Sequence, residues 1–183
     1  MNSKGFTILE LLIAIAVIAI LTSVSFYGYN AKREKLTLDS EVNNIIGEIE
    51  HAREMSIASQ EYTREGADPV MPKGGYGAMI EINSPGTVSL IADFDNDGTV
   101  PGENTDVIKH LVLDSRVAIK GLVSDQGACD WIIVLYKFPF PNAQITDNTG
   151  ATSSDAYMVV VLKNDPSKEK RIYFNSAGLI YVQ

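Results

Sequence analysis

The chain has 183 residues, 45% hydrophobic and 21% charged, which excludes wholesale disorder and bounds it to one domain with an appendage or two small domains. Fifteen Lys+Arg against twenty-three Asp+Glu leave a formal net charge of −8, the wrong sign for a general nucleic-acid binder, because neutralising phosphates needs a basic surface. A single cysteine, Cys129, excludes an internal disulfide and cannot supply a zinc site alone.

The apolar residues are concentrated at the start. Leu11–Leu21 reads LLIAIAVIAIL, and the stretch extends from Phe6 to Tyr27 with only Thr7, Glu10, Thr22, Ser23 and Ser25 interrupting it. As a helix rising 1.5 Å per residue it would span roughly 33 Å, enough for a bilayer core. Hydroxyls can bond back to helix carbonyls, so helix is the state expected in lipid. The basic cluster Lys32, Arg33 and Lys35 follows. A cleaved secretory signal (with Ser23-Val24-Ser25 as the small-x-small site) and a plain uncleaved anchor are two readings of this segment. Glu10 serves neither of them. A carboxylate in a membrane segment costs about 2.5–3.5 kcal/mol at mid-helix, so its presence points to a function and a partner.

Lys4-Gly5-Phe6-Thr7-Ile8-Leu9-Glu10, followed by the apolar run, resembles the cleavage and methylation motif of type IV prepilins and type II secretion pseudopilins. The resemblance implies that a prepilin peptidase cuts between Gly5 and Phe6 and that Phe6 becomes an N-methylated mature terminus. It further implies that Glu10 pairs with the terminal amine of a neighbouring subunit during assembly. The physics is coherent with this: opposite charges buried in an apolar bundle are tolerable only when paired, so the pair favours the correct register between helices.

Past Tyr29 the apolar residues become periodic. Leu38, Val42, Ile45, Ile49, Ala52 and Ser56 recur in steps of four and three, one face of a helix, and Ile46 and Ile57 are expected to widen it. The expected helix runs from Phe6 to about Gln60, with residues 6–29 as its transmembrane and assembly half and 30–62 as an amphipathic half entering a head. Residues 1–5 are the expected leader. EYTREGADPVMPKGG reads as a connecting loop. Eight strand-like runs follow: Tyr76–Ile82, Val88–Ala92, Val107–Leu113, Val117–Val123, Trp131–Phe138, Tyr157–Leu162, Arg171–Phe174 and Leu179–Val182. Asn175–Gly178 separates the last two as a hairpin turn would. The expected fold is α+β: a long N-terminal helix packed on a mainly antiparallel β head over 63–183, type IV pilin-like.

Several weaker elements narrow the resemblance. HAREMSIASQ, GGYGAMIEI, the acidic ADFDNDGTVPGENTD and the final KRIYFNSAGLIYV follow the order seen in the minor pseudopilin H and T-type minor pilin family. The acidic stretch also carries the one metal candidate. Carboxylates at alternate positions before a glycine can wrap Ca²⁺, and Asp93, Asp95, Asp97 and Asp106 are the candidate ligands. The match departs from an EF-hand loop at its twelfth position, which is Asn104, and Asp, Asn and Gly are also ordinary turn formers.

Nothing else reads as chemistry. His51 and His110 have no partner at ligand or catalytic spacing, and Cys129 beside Trp131 is expected as a small buried hydrophobe. No phosphate loop, metalloprotease His pair or nucleophile elbow occurs, and an enzyme is not expected. DNA uptake is disfavoured: beyond Gln60, ten bases face sixteen acids, and the one local basic cluster is Lys168, Lys170 and Arg171. The expectation is a non-enzymatic filament subunit of a type IV pilus, a type II secretion system or a related machine. It would reside in the bacterial inner membrane with its head outside the cytoplasm before assembly. Its partners are prepilin peptidase, membrane lipid and other pilin subunits. A membrane-tethered or exported module binding calcium or a surface polymer is the alternative.

Overall fold

A computed structural model describes residues 7–63, 68–96, 105–139 and 142–183, without the side chains of 24–31, 105 and 106. The chain divides into two compact units, Met1–Leu36 and Thr37–Gln183. The described helix, α1, runs Ile8–Ile57. It starts where Thr7 accepts the Glu10 backbone N–H on Oγ1 at 3.2 Å, an N-cap that satisfies one orphan donor. Thr22 and Ser23 hydroxyls donate to the carbonyls of Ile18 and Ala19, the back-bonding expected of hydroxyls in an apolar helix. It ends in a Schellman motif: Gln60 N–H reaches Met55 O and Ser59 N–H reaches Ser56 O, each at 3.0 Å, with Ser59 left-handed at φ 52°.

In the first unit, every large apolar side chain from Ile8 to Leu21 is at least half exposed. Among the described residues, no helix is long and apolar enough to cross a membrane. The expected membrane half reaches from Phe6 to Tyr27 and so includes residues whose side chains lie outside the description.

The second unit joins the helix to two antiparallel sheets. One sheet has six strands in the order β3-β2-β1-β6-β7-β8. These are β1 Gly75–Glu81, β2 Thr87–Asp93, β3 Thr105–Val112, β6 Trp131–Tyr136, β7 Ala143–Asp147 and β8 Thr152–Ser153. The other sheet has five strands in the order β11-β10-β9-β4-β5. These are β4 Val117–Ser124, β5 Gly127–Cys129, β9 Asp155–Leu162, β10 Asp165–Asn175 and β11 Ile180–Val182. The α+β class with antiparallel sheets is as expected. All eight expected runs are strands, and β5, β7 and β8 are additions.

Leu38, Val42, Ile45, Ile49, Ala52 and Ser56 are all buried, so the periodic stripe of α1 is the face that packs. Leu38 to Ile49 join Ala78, Ile80, Ile132 and Val134 of one sheet and Met158, Val160, Ile172 and Phe174 of the other in a single core. Ile57, expected to widen the stripe, is instead 49% exposed; Met55 is buried in the last turn in its place. At its centre the six-stranded sheet is buried on both faces, because Met79, Ile91, Ile133 and Leu135 form a second cluster opposite the helix. That double burial explains why WIIVLY is apolar throughout rather than alternating. The hairpin between β10 and β11 turns on Gly178 at φ 81°, whose N–H reaches Asn175 O at 2.9 Å.

Candidate functional site

The site with the strongest chemical signature is the start of α1. Gly5 and Phe6 lie outside the described residues. Thr7 and Glu10 are described and together form the first turn of the helix. Thr-x-x-Glu is the sequence pattern of a capping box, and the structure shows its first bond: the threonine hydroxyl accepts the N–H three residues on, and the glutamate sits at the positive end of the helix dipole. This second use of Glu10 was legible in the sequence, since Thr7 stands three residues ahead of an acid before an apolar run. Both residues are exposed, and Glu10 is the acid of the first turn.

After the cap, the large apolar side chains from Ile8 to Leu21 are all at least half exposed, although at about 100° per residue they together point in every direction around the axis. An amphipathic helix covers one stripe, whereas this one is apolar all round and needs cover all round. Each large side chain left in water forgoes about 1.5–3 kcal/mol of burial free energy. Lipid or other helices can supply that cover.

Two of the four candidate calcium ligands, Asp93 and Asp95, are described. Asp97 and the side chain of Asp106 lie outside the description, while the Asp106 backbone pairs with Ala92 across β2 and β3. Asp93 is fully buried, and its Oδ1 accepts the Asn96 N–H at 2.8 Å, with Asn96 left-handed at φ 67°. The carboxylate thereby organises its own loop by accepting the N–H three residues on. Its other oxygen packs against Gly74, where any Cβ would collide with it. Asp95 is exposed. Among the described residues, no group of three or more His, Cys, Asp or Glu side chains is arranged to hold a metal.

The structure places the remaining titratable candidates as follows. His51 is exposed on α1, and His110 is exposed on β3, where its Nδ1 lies 3.0 Å from Ser89 Oγ. Cys129 is buried, and burial pushes its thiol up to about 11, so it is a poor nucleophile at neutral pH. Of the basic cluster near the C-terminus, Lys168 pairs with Asp165, Lys170 with Asp39 on α1, and Arg171 with Glu169. These bases are engaged within the head rather than displayed as a phosphate-binding patch.

Residues 1–26 match the family described as the prokaryotic N-terminal methylation motif. The match spans the expected leader, the cleavage point, Thr7, Glu10 and the apolar run. It marks the N-terminus as that of a type IV pilin-like or pseudopilin substrate of prepilin peptidase. No curated protein and no solved structure matches the chain.

Proposed function

We propose that this chain is a minor pilin or pseudopilin: a non-enzymatic subunit held in the bacterial inner membrane by α1, with its head outside the cytoplasm, and then drawn into a filament. Prepilin peptidase cuts between Gly5 and Phe6, and Phe6 is N-methylated. The observation that carries the reading is the methylation motif at residues 1–26, continuous with a helix whose apolar side chains are exposed on every side. A head of the order and composition described for pseudopilin H and T-type minor pilins supports the minor-subunit assignment.

Moving α1 from lipid into a bundle of like helices brings no hydrophobic gain, because lipid tails are as apolar as leucine. Packing and polar pairs therefore decide register. A carboxylate at Glu10 and the new amine at Phe6, one from each of two neighbours, satisfy each other only when the helices are correctly staggered. The positive end of the α1 dipole lies at the same point and adds to the stabilisation of the acid.

Intact-mass measurement of protein extracted from membranes tests the proposal. Loss of Met1–Gly5 with one methyl group added at Phe6 is the expected result. An unprocessed N-terminus, or cleavage after Ser25, overturns it in favour of an anchored or exported module. Replacing Gly5 should leave the uncut form to accumulate.

A further inference from the structure

The outer face of the five-stranded sheet carries a row of aromatic side chains that the core does not use. Strand register places Val123, Tyr157, Tyr173 and Tyr181 side by side across β4, β9, β10 and β11. The Tyr157 and Tyr173 ring centroids are 5.1 Å apart and those of Tyr173 and Tyr181 are 4.9 Å apart, the latter pair within 5° of parallel. Parallel rings in contact are separated by about 3.5 Å, so a 4.9 Å centroid spacing means they overlap like shingles and each leaves part of a face uncovered. The Arg171 guanidinium lies 5.9 Å from the Tyr157 ring centroid, so one cation already uses this row.

Beside the row is an open groove of about 420 Å³, lined by the three tyrosines, Val123, Ser124 and Ala156 together with the carboxylates Asp125 and Asp155. Its lining contains no basic residue. Asp125 is exposed, and the Ser154 N–H donated to its Oδ2 at 2.8 Å holds its carboxyl below the usual range, so it is ionised at neutral pH. Electron-rich ring faces beside two carboxylates make a receptor for an ammonium or guanidinium group. The chain has two clusters of three bases within four residues. Lys168, Lys170 and Arg171 lie on β10 and pair with Asp165, Asp39 and Glu169, and Lys32, Arg33 and Lys35 are exposed on α1.

We propose that the tyrosine groove takes the basic cluster Lys32, Arg33 and Lys35 of a second copy of this chain. The proposal rests on the filament reading, which brings copies together, and adds to it a head-side contact for the helix. Lysine and arginine stems lie along the shingled rings while their charged ends meet Asp125 and Asp155.

The test uses the full chain in detergent micelles, titrated with a synthetic peptide of residues 30–38. Saturable binding is expected, weakened by added salt and about tenfold weaker in the Asp125→Asn/Asp155→Asn double variant, which preserves shape. Tyr181→Ala should weaken it similarly, and the isosteric double variant covers the case in which loss of that ring loosens β11. Equal binding of a peptide with Gln at all three basic positions, or unchanged binding in the double variant, overturns the proposal. So does a groove that answers only to a neutral oligosaccharide. In membranes, Lys32→Cys and Asp155→Cys expressed on separate copies should cross-link; cross-links only to other proteins remove the second copy as the occupant. The titration needs no processed N-terminus, so its failure leaves the mass test of the filament reading standing on its own.

Discussion

Ser56 Oγ accepts the backbone N–H of Tyr76 at 2.9 Å while donating its own proton to the carbonyl of Tyr136. One hydroxyl in the last turn of α1 thereby ties the helix to adjacent strands β1 and β6 at the centre of the six-stranded sheet. The approach is close enough that a Cβ at Gly75 would strike both Tyr136 O and Ser56 Oγ, and Gly75 is also left-handed at φ 86°. Ser56→Ala leaves the buried Tyr76 N–H without an acceptor, at a cost of about 1–3 kcal/mol. Thermal unfolding of the detergent-purified chain should show a Tm lower by several degrees. An unchanged Tm means that the helix is not fixed through this residue.

Three residues further on, Ser59 closes α1 in a left-handed conformation that glycine adopts without Cβ strain. Ser59→Gly removes roughly 1 kcal/mol of strain, partly offset by the greater chain entropy of glycine. The expected outcome is a small rise in Tm, whereas Ser59→Val, β-branched at the same φ, should lower it. Reversal of that order contradicts the Schellman end.

What was legible in the sequence follows from range. Leu38, Val42, Ile45, Ile49, Ala52 and Ser56 were readable because helix periodicity is local, and all six are buried. The error at Ile57 arose where the helix stops: past the last packed turn, periodicity no longer says what is covered. β7 was missed because Ala143–Asp147 is short and ends in Thr and Asp, residues that signal a turn. Its polar residues are buried for tertiary reasons, since Asp147 accepts the Ser124 hydroxyl from β4 of the other sheet. Alternation also cannot say which of two sheets a strand joins, so neither the division into two sheets nor the tyrosine row was visible. At the N-terminus the chemistry lies in consecutive residues, and there the motif could be read directly.

Asp147 makes head stability sensitive to acid. Its side chain is buried, which raises its pKa, but the Ser124 hydroxyl and the Thr149 hydroxyl and N–H more than offset that and hold it below the usual carboxylate range. Asp165 and Glu169 are also lowered, by Ser167 and Arg171 first among their partners. A carboxyl whose folded pKa is depressed stabilises the fold above its unfolded value of about 4, and that contribution is lost as pH falls through the folded value. Stability in urea should therefore be nearly flat from pH 7 to about 5 and should decline below about 4. Asp147→Asn should flatten the decline, and an identical acid limb in that variant shows that the buried acid is not its source.

Glu10 can act as the acid of a capping box or as the charge that sets register between subunits, and these roles separate by substitution. The observed capping bond runs from the Glu10 backbone N–H to Thr7 Oγ1, so exchanging the Glu10 side chain leaves it in place. Glu10→Gln retains a residue that suits a capping box and removes only the charge. Thr7→Val does the converse, deleting the acceptor at a helix cost of about 1 kcal/mol while keeping the acid. With Glu10→Gln, processing should proceed, as read from the mass of the N-terminus, yet incorporation into sheared filament fractions should fall about tenfold or more, because each 1.4 kcal/mol of a lost ion pair is worth a factor of ten. Thr7→Val should reduce incorporation far less. Equal incorporation of Glu10→Gln and the unaltered chain would leave Glu10 with the helix cap alone, and the register of the filament would have to come from packing of the apolar side chains that follow it.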